Sequence, residues 1–230
     1  MAARSIIGPH VGLVMREGVR RVTEVAPKMR FTEKLRQKGV RLDGRPDWVG
    51  PADEEGQRIF EELLTEHFVE PLGFGIIGEE DGLNIPCTVK GHSIYFTVDP
   101  IDGTSAFGRQ QSTGIGSMVA LVADGEVVAV CIGDILAGEM YYFRPGSDKT
   151  HRLADGIATP MRIDPARTLR SQHAVLRELP HKYDPVIQKM ILGKDPLFAD
   201  AETANGSIGL SMARMWTGVN GAHVSSSLKN

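Results

Sequence analysis

Apolar residues recur at helical spacing from the start of the chain. Ile6, Ile7, Val11, Val14, Met15, Val19, Val22 and Val25 place many members on one face, and Pro27 marks the predicted end of that element. From Lys28 to Arg45 the pattern turns basic and glycine-containing, and reads as a mobile surface loop. Its Lys34, Arg36, Lys38 and Arg41 are either a solvated charge run or an attraction for a phosphorylated substrate. The lack of interleaved aromatic residues speaks against a nucleic-acid platform. Helical periodicity returns from about Ala52 to Phe68, with Ile59, Phe60, Leu63 and Leu64 facing inward.

The period then shortens. Gly75-Ile76-Ile77 is a short apolar strand ending in the acidic turn Gly78-Glu79-Glu80-Asp81-Gly82, and Ser93 to Val98 is a strand rich in β-branched and aromatic residues. Two apolar runs, 116–122 and 127–132, flank Asp124-Gly125, which predicts a tight hairpin. Glu139 to Phe143 reads as another strand. Helices are predicted over 184–192 and 206–216, the second with Ile208, Leu210, Met212, Met215 and Trp216 as packing residues. Met212 and Met215 read as core filling and not as a cofactor box.

Composition narrows the class. With 230 residues, 41% hydrophobic and 24% charged, the chain can bury a sizeable core as one domain or a tightly joined pair. The net charge of −3 gives no reason to expect nucleic acid or an anionic membrane as the main partner. Cys87 and Cys131 are far apart, without metal or disulfide spacing, which fits a reducing cytoplasm. No signal peptide and no bilayer-length apolar run is read. The seven histidines lack zinc-ligand spacing, and neither a phosphate-loop glycine motif nor a serine nucleophile elbow is present.

The chemistry concentrates where a strand ends, in Asp99-Pro100-Ile101-Asp102-Gly103-Thr104. Two carboxylates three residues apart, on a chain stiffened by Pro100, suit Mg²⁺, which prefers oxygen ligands and keeps waters for a phosphate to displace. Gly103 allows close approach of backbone to a ligand, and the amides that follow can hold an anion. Upstream stand the Glu79-Glu80 turn and Asp47-Trp48-Val49-Gly50-Pro51-Ala52-Asp53, in which Asp53 on its own reads as a helix N-cap.

In this order the three segments resemble the inositol monophosphatase family of Mg²⁺-dependent, lithium-sensitive phosphatases. The six residues from Asp99 to Thr104 match its Asp-Pro-Ile-Asp-Gly-Thr motif without a change, and Gly78-Glu79-Glu80 matches its Gly-Glu-Glu. The first segment has Gly50 where the family usually has Thr. The resemblance implies a layered α/β fold, an αβαβα sandwich of the inositol monophosphatase and sugar phosphatase type. It would be a single domain over 1–230, with a metal-site half over about 1–145 and a C-terminal half over about 146–230. It implies Mg²⁺ as cofactor, with Glu79, Asp99, Asp102 and the Ile101 carbonyl as ligands. Thr104, oriented by Asp47, would work with Glu79 to position and deprotonate a water. Gly103 and Thr104 amides, with Asp102, would hold the phosphate, and attack would be direct and in line. Glu80 is either a supporting group or a solvated acid. The implied partner is a small phosphate ester, without nucleic acid or membrane, and a cytoplasmic homodimer is expected.

The family's last motif, Trp-Asp followed by small residues, is not found up to Asn230, so the C-terminal strand and helix are expected to be lacking. The readings open here are a fragment, a shortened member in which Asp200 or Asp134 substitutes, and a degenerate relative that binds metal or ligand without efficient turnover. Ser225 falls where the family carries the Glu that contacts inositol hydroxyls, which disfavours myo-inositol phosphate as substrate.

Overall fold

The computed structural model describes residues 10–31, 34–40, 44, 46–80, 82–204 and 206–225. Helix α1 (Val11–Met29) buries Val11, Gly12, Met15, Gly18, Val19, Val22 and Ala26, a single stripe at helical spacing. It runs on through Pro27, which lies in the last turn, where the proline ring costs one hydrogen bond and leaves little helix beyond it to disrupt. Ile6 and Ile7 lie outside the described residues.

The expected loop over 28–45 is instead partly strand. β1 (Arg36–Val40) pairs antiparallel with β2 (Pro46–Val49), and a bulge between Gln37 and Gly39 takes Lys38 out of the ladder. Arg41 lies outside the described residues. Helix α2 (Pro51–Leu64) continues through a π-helical turn, Thr65–Val69, and a last helical turn, Glu70–Leu72, to the left-handed Gly73.

An eight-stranded mixed sheet forms the centre. Its first strands are β3 (Gly75–Gly78), β4 (Asn84–Ile85) and β5 (Ile94–Asp102). β6 (Gly116–Ala123), β7 (Glu126–Asp134) and β8 (Glu139–Phe143) follow, and β9 (His151–Ala154) with β10 (Ile157–Pro160) completes it. The order is β10-β9-β8-β7-β6-β5-β3-β4, and only β3 and β5 run parallel. In the expected β6–β7 hairpin Asp124 and Gly125 both take positive φ, 51° and 85°, the geometry whose twist matches the flanking strands. α1 and α2 pack on this sheet over a core that includes Phe60, Phe68, Phe74 and Phe96.

A second, parallel sheet has the order β12-β11-β13, built from β11 (His173–Leu176), β12 (Asp200–Thr203) and β13 (Asn220–Val224). The short helix α3 (Thr104–Gly108) follows β5. Helix α4 (Pro185–Leu192) packs through Ile187 and Ile191 with Ala174 and Leu176 of the small sheet. Helix α5 (Ile208–Trp216) sets Leu210 and Ala213 against Ile132 of the large sheet and also touches β13. The layers are therefore helix, large sheet, helix, small sheet and helix. Within α5, Ile208 and Met212, expected to pack, are 37% and 48% exposed, and the helix presents Leu210 and Ala213 inward instead.

Candidate functional site

The site forms at the ends of β3 and β5. Gly78 pairs with Val98 in the parallel ladder, and Glu79 N–H donates to the Val98 carbonyl at 3.0 Å, so Glu79 emerges next to Asp99. The β5–β6 register then shifts between Asp99 and Asp102, which delivers Asp99, Ile101 and Asp102 within one irregular turn. Gly103 follows at φ 98°. A Cβ there would lie 2.6 Å from the Gly114 carbonyl oxygen and 3.0 Å from Ser207 N, so only glycine lets these backbones meet.

Each acid is held differently. Asp102 is buried, and its Oδ2 accepts from Ser207 Oγ at 2.6 Å and from Gly209 N–H at 2.7 Å, at the start of α5. Burial raises its carboxyl above the ordinary range, against the pull of those two hydrogen bonds and of the Arg177 charge. Asp53 is 1% exposed and bridges two elements. Its Oδ2 accepts from Gly50 N–H at 2.9 Å, closing the capping box of α2, and its Oδ1 lies 2.9 Å from Thr104 Oγ1. Burial pushes the Asp53 carboxyl up to about 7, opposed by the Thr104 and Gly50 hydrogen bonds and reinforced by the Glu80 and Glu79 charges.

Asp99 is the least compensated acid of the cluster. Its Oδ1 is buried without a hydrogen-bond partner. Burial, then the neighbouring Asp102 and Glu79, drive its carboxyl well above the ordinary value. An unpartnered buried oxygen among like charges fits a cation, and hard carboxylate and carbonyl donors fit a hard divalent one. Among the described residues no three His, Cys, Asp or Glu side chains stand ready to hold an ion. The oxygen donors that could hold one are the Glu79, Asp99 and Asp102 carboxylates and the Ile101 backbone carbonyl.

Lys38, turned inward by its bulge, supplies the local positive charge. Its Nζ lies 2.7 and 2.8 Å from the two Glu80 oxygens, 3.3 Å from Glu79 Oε1 and 4.0 Å from Asp47 Oδ2. Glu80 is 1% exposed and is therefore a supporting group and not a solvated acid. Its backbone is clamped by Gln57, which accepts from Glu80 N–H at 2.8 Å and donates to the Glu80 carbonyl at 2.5 Å.

The inositol monophosphatase family model matches residues 13–219. The chain belongs to this family. It is similar to the Nus factor SuhB of Xylella fastidiosa (strain Temecula1 / ATCC 700964), 31% identical over 113 residues. That stretch spans 49% of this chain and only 38% of that relative. Among solved structures it is similar to a staphylococcal inositol monophosphatase-1 soaked in LiCl, with TM-score 0.71 and 18% identity over 94% of this chain and 74% of that one. An IMPase/NADP phosphatase complexed with NADP and Ca²⁺ gives TM-score 0.70 and 17% identity over 94% and 75%. At these identities the structural likeness speaks for the inositol monophosphatase fold alone.

Within that fold, Glu79, Asp99, Ile101, Asp102, Gly103 and Thr104 come together at one place. Asp47 does not take the place expected for it. The Thr104 hydroxyl meets Asp53 and, at 3.0 Å, the Ile101 carbonyl, while Asp47 on β2 lies beside Lys38. The reason is the path of the chain: the first turn of α2 carries Asp53 to Thr104 of α3, whereas β2 carries Asp47 beside Lys38 of β1. Neither substitute acid reaches the cluster. Asp134 Oδ1 accepts from Leu136 N–H and Ala137 N–H in its own turn, and Asp200 is exposed near His173. Sequence reasoning also passed over Lys38 as a site residue, Ser207 and Gln57. Only Asp53 had a signal, as the closing acid of the first segment.

Proposed function

We propose that this chain is a Mg²⁺-dependent phosphomonoesterase acting on a small phosphorylated polyol, sugar or nucleotide. The observation that carries the reading is Asp99: a half-buried carboxylate with a buried oxygen left unpartnered, beside Glu79 and Asp102 and near a threonine hydroxyl held by Asp53. Glu79, Asp99 and the Ile101 carbonyl would hold one ion and Asp102, with Asp99, a second. Bound there, Mg²⁺ supplies a water of lowered pKa and neutralises charge on the phosphate and the leaving oxygen.

The chain's own residues do the rest. Thr104 donates to Asp53 and so turns an acceptor lone pair toward the attacking water, whose proton passes to Glu79. The new P–O bond forms as the ester bond in line with it breaks, the departing oxygen takes a proton from solvent water, and Glu79 returns its proton to solvent. Backbone N–H groups of Gly103 and Thr104 hold the phosphate oxygens. Asp53 thus takes the orienting role first assigned to Asp47. Among the described residues no helix is long and apolar enough to cross a membrane. A cytoplasmic homodimer belongs to the same reading.

The test is Mg²⁺-dependent phosphate release from a panel of inositol phosphate, fructose 1,6-bisphosphate, histidinol phosphate, 3′-phosphoadenosine 5′-phosphate and NADP, with Asp102→Asn as control. Release that vanishes in the variant and falls with lithium is expected. A folded, Mg²⁺-binding protein that releases nothing from any ester would overturn the reading in favour of a relative that binds without turnover.

A further inference from the structure

A cavity of about 540 Å³ lies away from the acids, between the start of α1, the end of β8 and the β9–β10 hairpin. β8 stands three strands from β5, roughly 14 Å across the sheet at the usual strand spacing. Around it stand His10, Arg16, Arg144 and His151, with Leu13, Tyr142, Ala158 and Pro160 as the other lining residues, and among the described residues no carboxylate lines it.

Arg16 and both histidines are held by rings. The Arg16 guanidinium carbon sits 4.5 Å from the Tyr142 ring centroid, and the other partner of that ring is His151, stacked at 5.3 Å and 17° from its cross-strand position. The His10 ring stacks on Phe68 at 5.1 Å. A Cβ on Gly12 would lie 3.2 Å from Arg144 Cβ and 3.5 Å from Arg16 Nη1, so this glycine lets both arginines crowd the first turn of α1.

Nearby acids are already engaged. Glu17 accepts from Arg20 and Arg21, and Glu139 from Arg152 and Tyr141. Among the described residues neither Arg16 nor Arg144 has a carboxylate partner. His151 Nδ1 is buried with no hydrogen-bond partner. Two guanidinium groups, two imidazole rings and the start of a 19-residue helix, its positive end, therefore border one space. Like charges brought together in this way favour an anion between them, and guanidinium donors match phosphate oxygens two at a time.

We infer that this cavity binds a small molecule through a phosphate or diphosphate group, at a site separate from the acidic cluster. Its volume exceeds that of a lone phosphate and falls in the range of ordinary ligand pockets, so Leu13, Ala158 and Pro160 are left to cover the rest of the ligand.

The test uses the whole chain stripped of divalent ions with EDTA, where the acid cluster repels polyanions. Inorganic pyrophosphate is titrated calorimetrically at pH 8 and fixed ionic strength. One site is expected, weakened at least tenfold by Arg144→Glu and by Arg16→Gln and unchanged by Asp102→Asn. Circular dichroism melts check that each variant is folded. Arg144 is exposed, so its variant decides the matter if Arg16→Gln fails to fold. No binding by the parent chain, undiminished binding by folded Arg144→Glu, or loss of binding in Asp102→Asn would each overturn the inference.

Discussion

Asp53→Asn separates the charge of this residue from its shape. In the folded chain the carboxyl is pushed from 3.8 to about 7, chiefly by burial. The folded state therefore holds its proton to higher pH than the unfolded chain does. Its contribution to stability is full below pH 3.8 and is lost as pH climbs toward 7. A rise of about 3 units at about 1.4 kcal/mol each amounts to about 4 kcal/mol lost by pH 8. Asparagine escapes that loss. It keeps an acceptor for Thr104 but turns an NH₂ toward Gly50 N–H, which breaks the capping bond at a cost of about 1–2 kcal/mol. Metal-free Asp53→Asn should thus be less stable than the parent by about 1–2 kcal/mol at pH 4 and more stable by about 2–3 kcal/mol at pH 8. Urea unfolding in EDTA at pH 4, 6 and 8 measures both. The same loss of stability at all three pH values would refute the assignment of a strained, buried carboxylate. Mg²⁺-dependent phosphate release by the stabilised variant should still fall by about 100-fold, because the Thr104 hydroxyl is no longer held by a charged acceptor.

Ser207→Ala removes both the donor to Asp102 Oδ2 and the cap that accepts from Leu210 N–H. It should cost about 2–3 kcal/mol in urea unfolding and weaken Mg²⁺ binding measured by calorimetry. Lys38→Met leaves the buried Glu80 carboxylate without its ammonium. A loss of about 2 kcal/mol at pH 8, shrinking at pH 4 as Glu80 takes up a proton, is the expected result. Asp99→Asn should raise the metal-free melting temperature at pH 8 and abolish the Mg²⁺-induced rise, since it removes the carboxylate most crowded by burial and like charge. Gly125→Ala, at φ 85° on the hairpin turn, should cost about 1 kcal/mol and leave phosphate release untouched, a control for stability loss alone.

The elements legible in the sequence are those whose two faces differ in polarity. β5 alternates buried and half-buried positions up to Val98, and β6 does the same, so their period shows. β10 is exposed along its whole length, and β1 mixes exposed with half-buried polar residues, so neither carries a hydrophobic signal. The β9–β10 turn uses the same Asp-Gly pair as the β6–β7 turn, at φ 51° and 76°, but its flanks are too short and polar to announce a hairpin. The strands of the small parallel sheet are four or five residues long and are set by partners distant in sequence. At the site, the motif placed Asp99, Ile101, Asp102, Gly103 and Thr104 together because they share one strand end. The choice between Asp47 and Asp53 was not local in that way. It depends on the direction in which α2 leaves β2, which six residues of sequence do not encode.

The carboxylates differ most in how the fold compensates them. Asp53 sits in the first turn of α2, and Asp102 accepts from the cap and first turn of α5, so both lie at helix N-termini, where backbone dipoles favour negative charge. Glu79 and Glu80 share the Lys38 ammonium. Asp99 has neither helix nor lysine, and its Oδ1 faces a buried space with no donor. A fold that supplies each neighbour with a fixed positive end and withholds one from Asp99, whose Oδ1 is buried without a partner, leaves that acid's compensation to something that binds. The same residues favour the proposed cation at Asp99 over one beside Lys38. The ammonium reaches both Glu80 oxygens at 2.7 and 2.8 Å but Glu79 only at 3.3 Å, so an ion at Asp99 can recruit Glu79 without breaking the Lys38–Glu80 pair.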